Sequence, residues 1–74
     1  MKKSTEIIII RDDEEIKVTV DLISFYKGSN EPDDPMEIEM QDYGYDSNGL
    51  IYTLSITEYQ KAQEEWFKYK DETD

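Results

Sequence analysis

From Glu15 to Tyr26 the chain reads EIKVTVDLISFY, with apolar side chains at every second position through its first two thirds. A period of two belongs to a β-strand with one covered face. Ile16, Val18, Val20 and Leu22 take one face, and Lys17, Thr19 and Asp21 take the other. Such a strand cannot stand alone: its amides and carbonyls need neighbours, and its Ile–Val face needs a cover. That requirement confines the chain to a sheet-based fold. The parity slips at Ile23, after which Ile23 and Phe25 carry the apolar positions. A bulge or a strand end near Leu22 is the expected cause.

The neighbours are legible in the same way. Residues 5–10, TEIIII, are β-branched and predict a strand. Four consecutive isoleucines predict that both its faces are at least partly covered, as in a central strand. Arg11 to Glu14, RDDE, is a polar turn. Residues 28–35, GSNEPDDP, form a loop by their Gly, Asn and Pro content. Residues 36–41, MEIEMQ, alternate again, with Met36, Ile38 and Met40 on one face and Glu37, Glu39 and Gln41 on the other. Asp46 to Gly49, DSNG, signals a hairpin turn. Tyr43 and Tyr45 lie on the approach to it, where the strand extends or bulges. Leu50 to Ser55 return as a strand, with Leu50, Tyr52 and Leu54 on one face.

Thr57 opens a helix, with Gln60 placed three residues on as a capping box requires. Tyr59, Ala62, Trp66 and Tyr69 share one helical face, and Phe67 sits at its margin. This spacing marks Trp66 as core. The pairs Lys61/Glu65 and Glu64/Lys68 stand at i,i+4 and predict local ionic support. Residues 71–74 are expected to fray. The expected architecture is α+β, in the order β-β-β-β-α: a small antiparallel sheet of about four strands, built as two hairpins, with one C-terminal amphipathic helix packed on one face. Residues 1–74 form a single domain. The open edges of such a sheet could pair two copies as a homodimer.

Several function classes are hard to build from this inventory. There is no His and no Cys, so the commonest general base and the commonest thiol nucleophile are missing. Gly28, Gly44 and Gly49 sit at turn-like positions and make no phosphate loop. The sequence predicts a protein that is not an enzyme and carries no cofactor. Asp42, Asp46 and Asn48 carry oxygen ligands at short spacing, but position 12 counted from Asp42 is Thr53 and from Asp46 is Thr57, where an EF-hand needs Glu. They are therefore expected to be turn residues and not a metal site. The start MKKSTEIIII is too short for a signal-peptide core, and no apolar run reaches the length of a membrane span. With no cysteine, the chain fits a reducing compartment, and a soluble cytoplasmic protein is expected.

Charge is the dominant global feature. Nineteen acids against eight bases give a formal net charge of −11. Direct nucleic-acid binding and binding to anionic membranes are disfavoured, so a charged partner should be basic. The segregation is sharp: residues 28–60 contain eight acids and no base. Glu31, Asp33, Asp34, Glu37, Glu39, Asp42 and Asp46 crowd one stretch, and Glu58 follows. Most acidic runs only solvate a face, yet a solvated surface usually mixes both signs. Glu37 and Glu39, two residues apart on one strand, stand about 6.6 Å apart, of the order of successive phosphates on a nucleic-acid strand. Tyr43 and Tyr45 lie among these acids, as tyrosines at interfaces do; a core position is equally open to them.

The expected partner-binding residues are Glu31, Asp33, Asp34, Glu37, Glu39, Asp42, Tyr43, Tyr45 and Asp46. The leading expectation is an inhibitor that mimics nucleic acid and occupies the basic DNA- or RNA-binding groove of an enzyme or defence complex. By size and charge alone it is analogous to small phage antagonists of the anti-CRISPR and anti-restriction kind. The alternative is a non-catalytic adaptor or small subunit whose acidic face is only solvation.

Overall fold

A computed structural model of the chain describes residues 3–27 and 36–69. Within them lie strands β1 (Ser4–Arg11), β2 (Glu14–Lys27), β3 (Met36–Met40), β4 (Tyr43–Tyr45) and β5 (Ile51–Thr53), followed by helix α1 (Ile56–Tyr69). The strands form one antiparallel sheet in the order β1-β2-β4-β5, with β3 also paired to β2. α1 packs across β1 and β3. The expected α+β arrangement is therefore present. The expected loop at 28–35 and the expected frayed tail at 71–74 lie outside the described residues.

β2 organises the sheet, as its alternation requires. Its first part pairs with β1 from Glu14↔Arg11 to Asp21↔Ser4, and its last part pairs with β3 from Leu22↔Met40 to Lys27↔Met36. The register shifts between Leu22 and Ser24, so Ile23 is the inserted residue of a bulge. This is where the apolar parity slips in the sequence. Along the far side of β2, β3 and β4 are two parts of one interrupted ribbon. Gln41 N–H still donates to the Asp21 carbonyl (3.0 Å), and Tyr45 then faces Thr19. Between Leu22↔Met40 and Thr19↔Tyr45 the ribbon uses more residues than β2 does, which makes a second irregularity around Asp42.

The two hairpins turn by different chemistry. Asp12 and Asp13 have φ of 53° and 66° between the paired Arg11 and Glu14. Two consecutive left-handed residues make a type I′ turn, and aspartate is among the few non-glycine residues that enter that region readily. The β4–β5 turn is a three-residue loop. Gly49 N–H donates to the Asp46 carbonyl (3.0 Å), and Gly49 itself takes the left-handed position at φ 82°. Leu50 closes this loop, its carbonyl accepting from Asp46 N–H (3.1 Å), and is exposed; the returning strand, Ile51–Thr53, is shorter than the expected 50–55.

β1 corrects the expectation of a central strand. Among the described residues it pairs only with β2. Ile7 and Ile9 are buried, whereas Ile8 is 47% and Ile10 63% exposed. One helix covers one face of the sheet, so a run of isoleucines on a strand must leave every second one uncovered.

The start of α1 is a second correction. Ser55, not Thr57, is the cap. Glu58 N–H donates to Ser55 Oγ (3.2 Å), and Ser55 N–H donates to Glu58 Oε1 (2.9 Å), a reciprocal capping box. The core comprises Ile7, Ile9, Val18, Val20, Met40, Leu54, Ala62 and Trp66, with Thr5 buried among them. Trp66 and Ala62 are fully buried, as their helical spacing predicts, and Tyr59 packs against them, its hydroxyl accepting from Met40 N–H (3.0 Å). Tyr69, by contrast, is exposed at the end of the stripe. Phe67 sets its ring at 82° to that of Trp66. Among the described residues neither Lys61/Glu65 nor Glu64/Lys68 closes an ion pair. No described helix is long and apolar enough to cross a membrane.

Candidate binding surface

The acidic run of residues 28–60 enters the fold in distinct environments. Glu31, Asp33 and Asp34 lie outside the described residues. Glu37 sits in β3 opposite Tyr26. Glu39 stands opposite Ser24 on β2 and is exposed. Strand alternation turns its neighbours Ile38 and Met40 to the core and Glu39 away from it. Asp42 is exposed at the irregularity between β3 and β4; its backbone carbonyl accepts from Leu54 N–H (2.9 Å) while its carboxylate is left to solvent.

Asp46 is differently placed. Its Oδ1 accepts from Asn48 N–H (2.8 Å) and Leu50 N–H (2.9 Å), and its Oδ2 accepts from the Tyr52 hydroxyl (3.3 Å). These bonds, that from Leu50 first, hold its carboxyl below the usual carboxylate range. Asp46 is thus the staple of the β4–β5 turn. Asn48 meets it through its backbone, and among the described residues no cluster of three acids is placed to hold a metal ion.

Glu58 lies elsewhere again. Both its oxygens face the Arg11 guanidinium, at 2.7 Å from Nη1 and 2.9 Å from Nη2. Arg11 also donates to the Thr53 carbonyl (2.6 Å) and to its own neighbour's carbonyl at Ile10 (2.8 Å). The charge-assisted bonds from Arg11 hold the Glu58 carboxyl down at about 2. The contact joins the end of β1, the end of β5 and the first turn of α1, across 47 residues of sequence. No local pattern announces it.

Tyr43 and Tyr45 are both half-buried, standing opposite Thr53 and Ile51 on β5. The Tyr45 hydroxyl donates to Asp21 Oδ1 (3.0 Å); that bond, with partial burial, raises the phenol above its ordinary value and keeps it protonated. Gly44 lies between them because nothing larger fits. A Cβ there would stand 2.7 Å from Val18 Cγ2 and 2.9 Å from Val18 Cβ. Beside Tyr45 is an open depression lined by Glu6, Ile16, Lys17, Thr19, Tyr45, Asp46 and Ser47. Lys17 approaches Glu6 at 3.1 Å there, an exposed pair of little energetic consequence.

The resulting surface is mixed. Glu39 and Asp42 supply free charge, Tyr43 and Tyr45 supply aromatic area, and exposed Ile23 and Ile51 add apolar contact. This apolar component is missed by an argument from charge alone, although the slip at Ile23 was a signal of it. No protein-family model, no curated protein and no solved structure matches this chain.

Proposed function

We propose that this protein is a small non-catalytic binding protein that occupies the basic, nucleic-acid-binding groove of an enzyme or defence complex and excludes its substrate. The observation that carries this reading is the exposure of Glu39 and Asp42 on a stretch with no base, next to half-buried tyrosines. A groove lined with Lys and Arg for phosphates would meet carboxylates held on a sheet, and the tyrosines would add contact area at the same place. Association of this kind is fast and weakens with salt.

The exposed isoleucines favour a second reading, an adaptor that docks by apolar contact with its acids serving only as solvation. One experiment separates the two. The protein is immobilised beside a Glu37→Gln, Glu39→Gln, Asp42→Asn variant, and nucleic-acid enzymes are captured at low and moderate salt. Capture by the parent, lost in the variant and competed by DNA or RNA, supports the groove-blocking reading. Capture that is equal in both and indifferent to salt rejects it in favour of the adaptor.

A further inference from the structure

The outer edge of β1 can be read atom by atom. Leu22 N–H donates to the Lys3 carbonyl (2.8 Å), and in an antiparallel pair such bonded positions recur at every second residue. Thr5/Val20, Ile7/Val18, Ile9/Ile16 and Arg11/Glu14 are therefore the bonded pairs of β1 and β2. The amides and carbonyls of Glu6, Ile8 and Ile10 point the other way, toward the edge that no described strand pairs. In keeping with this, the Ile10 carbonyl accepts from the Arg11 guanidinium. Long edge strands are normally blunted by lysine, proline or a bulge. Between Ser4 and Ile10 there is none, and the one charge, Glu6, is matched by Lys17. A groove of about 260 Å³ follows the edge, lined by Glu6, Ile7, Ile8, Lys17, Lys61 and Glu65.

We propose that this edge pairs with the same edge of a second copy, β1 against β1, antiparallel about a two-fold axis at Ile8. Residues facing each other across an antiparallel pair must share a sheet face, which limits the registers to those two residues apart. With the axis at Ile8, Ile8 meets its own mate and Glu6 meets Ile10 of the other copy. The outward amides and carbonyls then bond to their symmetry equivalents, and the exposed isoleucines of both copies form one row. With the axis at Ile7, each Ile8 would face Glu6 and each Ile10 would face Ser4, so no exposed isoleucine would meet another. Lys61 and Glu65, which do not pair with each other among the described residues, line the groove at this same edge.

Charge also selects a second copy as the occupant. In a chain of net charge −11, the edge has balanced acids and bases, so two copies approach there with the least repulsion. What repulsion remains is long-range and screened by salt. Dimerisation should therefore strengthen as salt rises, opposite to the salt dependence of the acidic surface.

Sedimentation equilibrium across micromolar to millimolar protein, at low and high salt, tests this. The expected result is a mass rising to twice that of one 8.8 kDa chain, at lower concentration in high salt. Ile8→Lys should return the mass to that of one chain over the same range, because it places charge at the axis without touching the bonds to β2. Thermal unfolding checks that this variant is folded. A second variant decides the matter if it is not. Paired Cα atoms at the axis lie about 5.5 Å apart, within reach of a disulfide. The chain has no cysteine of its own, so Ile8→Cys should give a linked dimer on oxidation while Ile51→Cys, exposed on β5, should not. A single-chain mass at every concentration, or equal linking of the two cysteine variants, overturns the proposal.

Discussion

Glu58 and Glu39 belong to the same base-free stretch of sequence, yet they have opposite roles in the fold. Glu58 is bound on both oxygens by Arg11 and closes the capping box with Ser55; Glu39 stands on a strand with its carboxylate in water. Asp46 sides with Glu58, and Asp42 sides with Glu39. An acidic run therefore contains two populations. One is tied inward and supports the structure, and the other faces outward and is free to meet a partner. Net charge does not distinguish them, whereas hydrogen-bond partners do.

The comparison can be broken most severely at Gly44, which holds β4 against β2 and so sets the position of both populations. Gly44→Ala forces a Cβ into Val18 and should lower stability by about 2 kcal/mol, read from the urea midpoint. Glu58→Gln comes next. It removes the charge from the bonds to Arg11, and for this partly exposed site a loss of about 1–2 kcal/mol at neutral pH is expected. The sign of its pH dependence follows from the shift. The carboxyl is lowered from 4.5 to about 2 by folding, so its contribution is full above 4.5 and is lost as pH falls toward 2. Urea titrations should therefore show the gap between parent and variant narrowing between pH 4.5 and 2. Asp46→Ala should also destabilise, by less than Glu58→Gln, with the loss confined to the β4–β5 turn in amide exchange.

Two further changes sharpen the contrast at smaller amplitude. Asp13 is neither tied nor free to choose its backbone, since it holds φ 66° without the freedom of glycine. Asp13→Gly should raise the melting temperature, worth about 0.5–1 kcal/mol after the greater entropy of the unfolded chain is counted. Glu39→Gln with Asp42→Asn should move stability by no more than about 0.5 kcal/mol. The same pair should nonetheless weaken capture of a basic partner at low salt. A large loss of stability from this pair would erase the distinction between the two populations.

The legible parts of the fold were those written in local pattern. The alternation of β2, its slip at Ile23, the turn at Asp46 to Gly49 and the buried face of Ala62 and Trp66 all follow from spacing. What was hidden depended on partners far away in sequence. Ser55 and Thr57 both offer an N-cap followed three residues later by Glu or Gln, and Arg11, distant in sequence, holds the Glu58 that belongs to Ser55. The isoleucines of β1 show a strand but not how many layers will cover it. In the candidate surface, the exposure of Glu39 follows from the alternation of β3. The engagement of Asp46 and Glu58 does not follow from charge, because a carboxylate in a sequence carries no record of what will donate to it.

The contact between Arg11 and Glu58 can close only after the start of α1 has been made. The first hairpin, β1 with β2, has its pairing partner close by in the chain, but the helix that shields Ile7 and Ile9 is made after all five strands. During synthesis at about 5–20 residues per second, those isoleucines wait seconds for their cover. The chain emerging in that interval is the base-free acidic stretch, which repels its own copies while the core is still open.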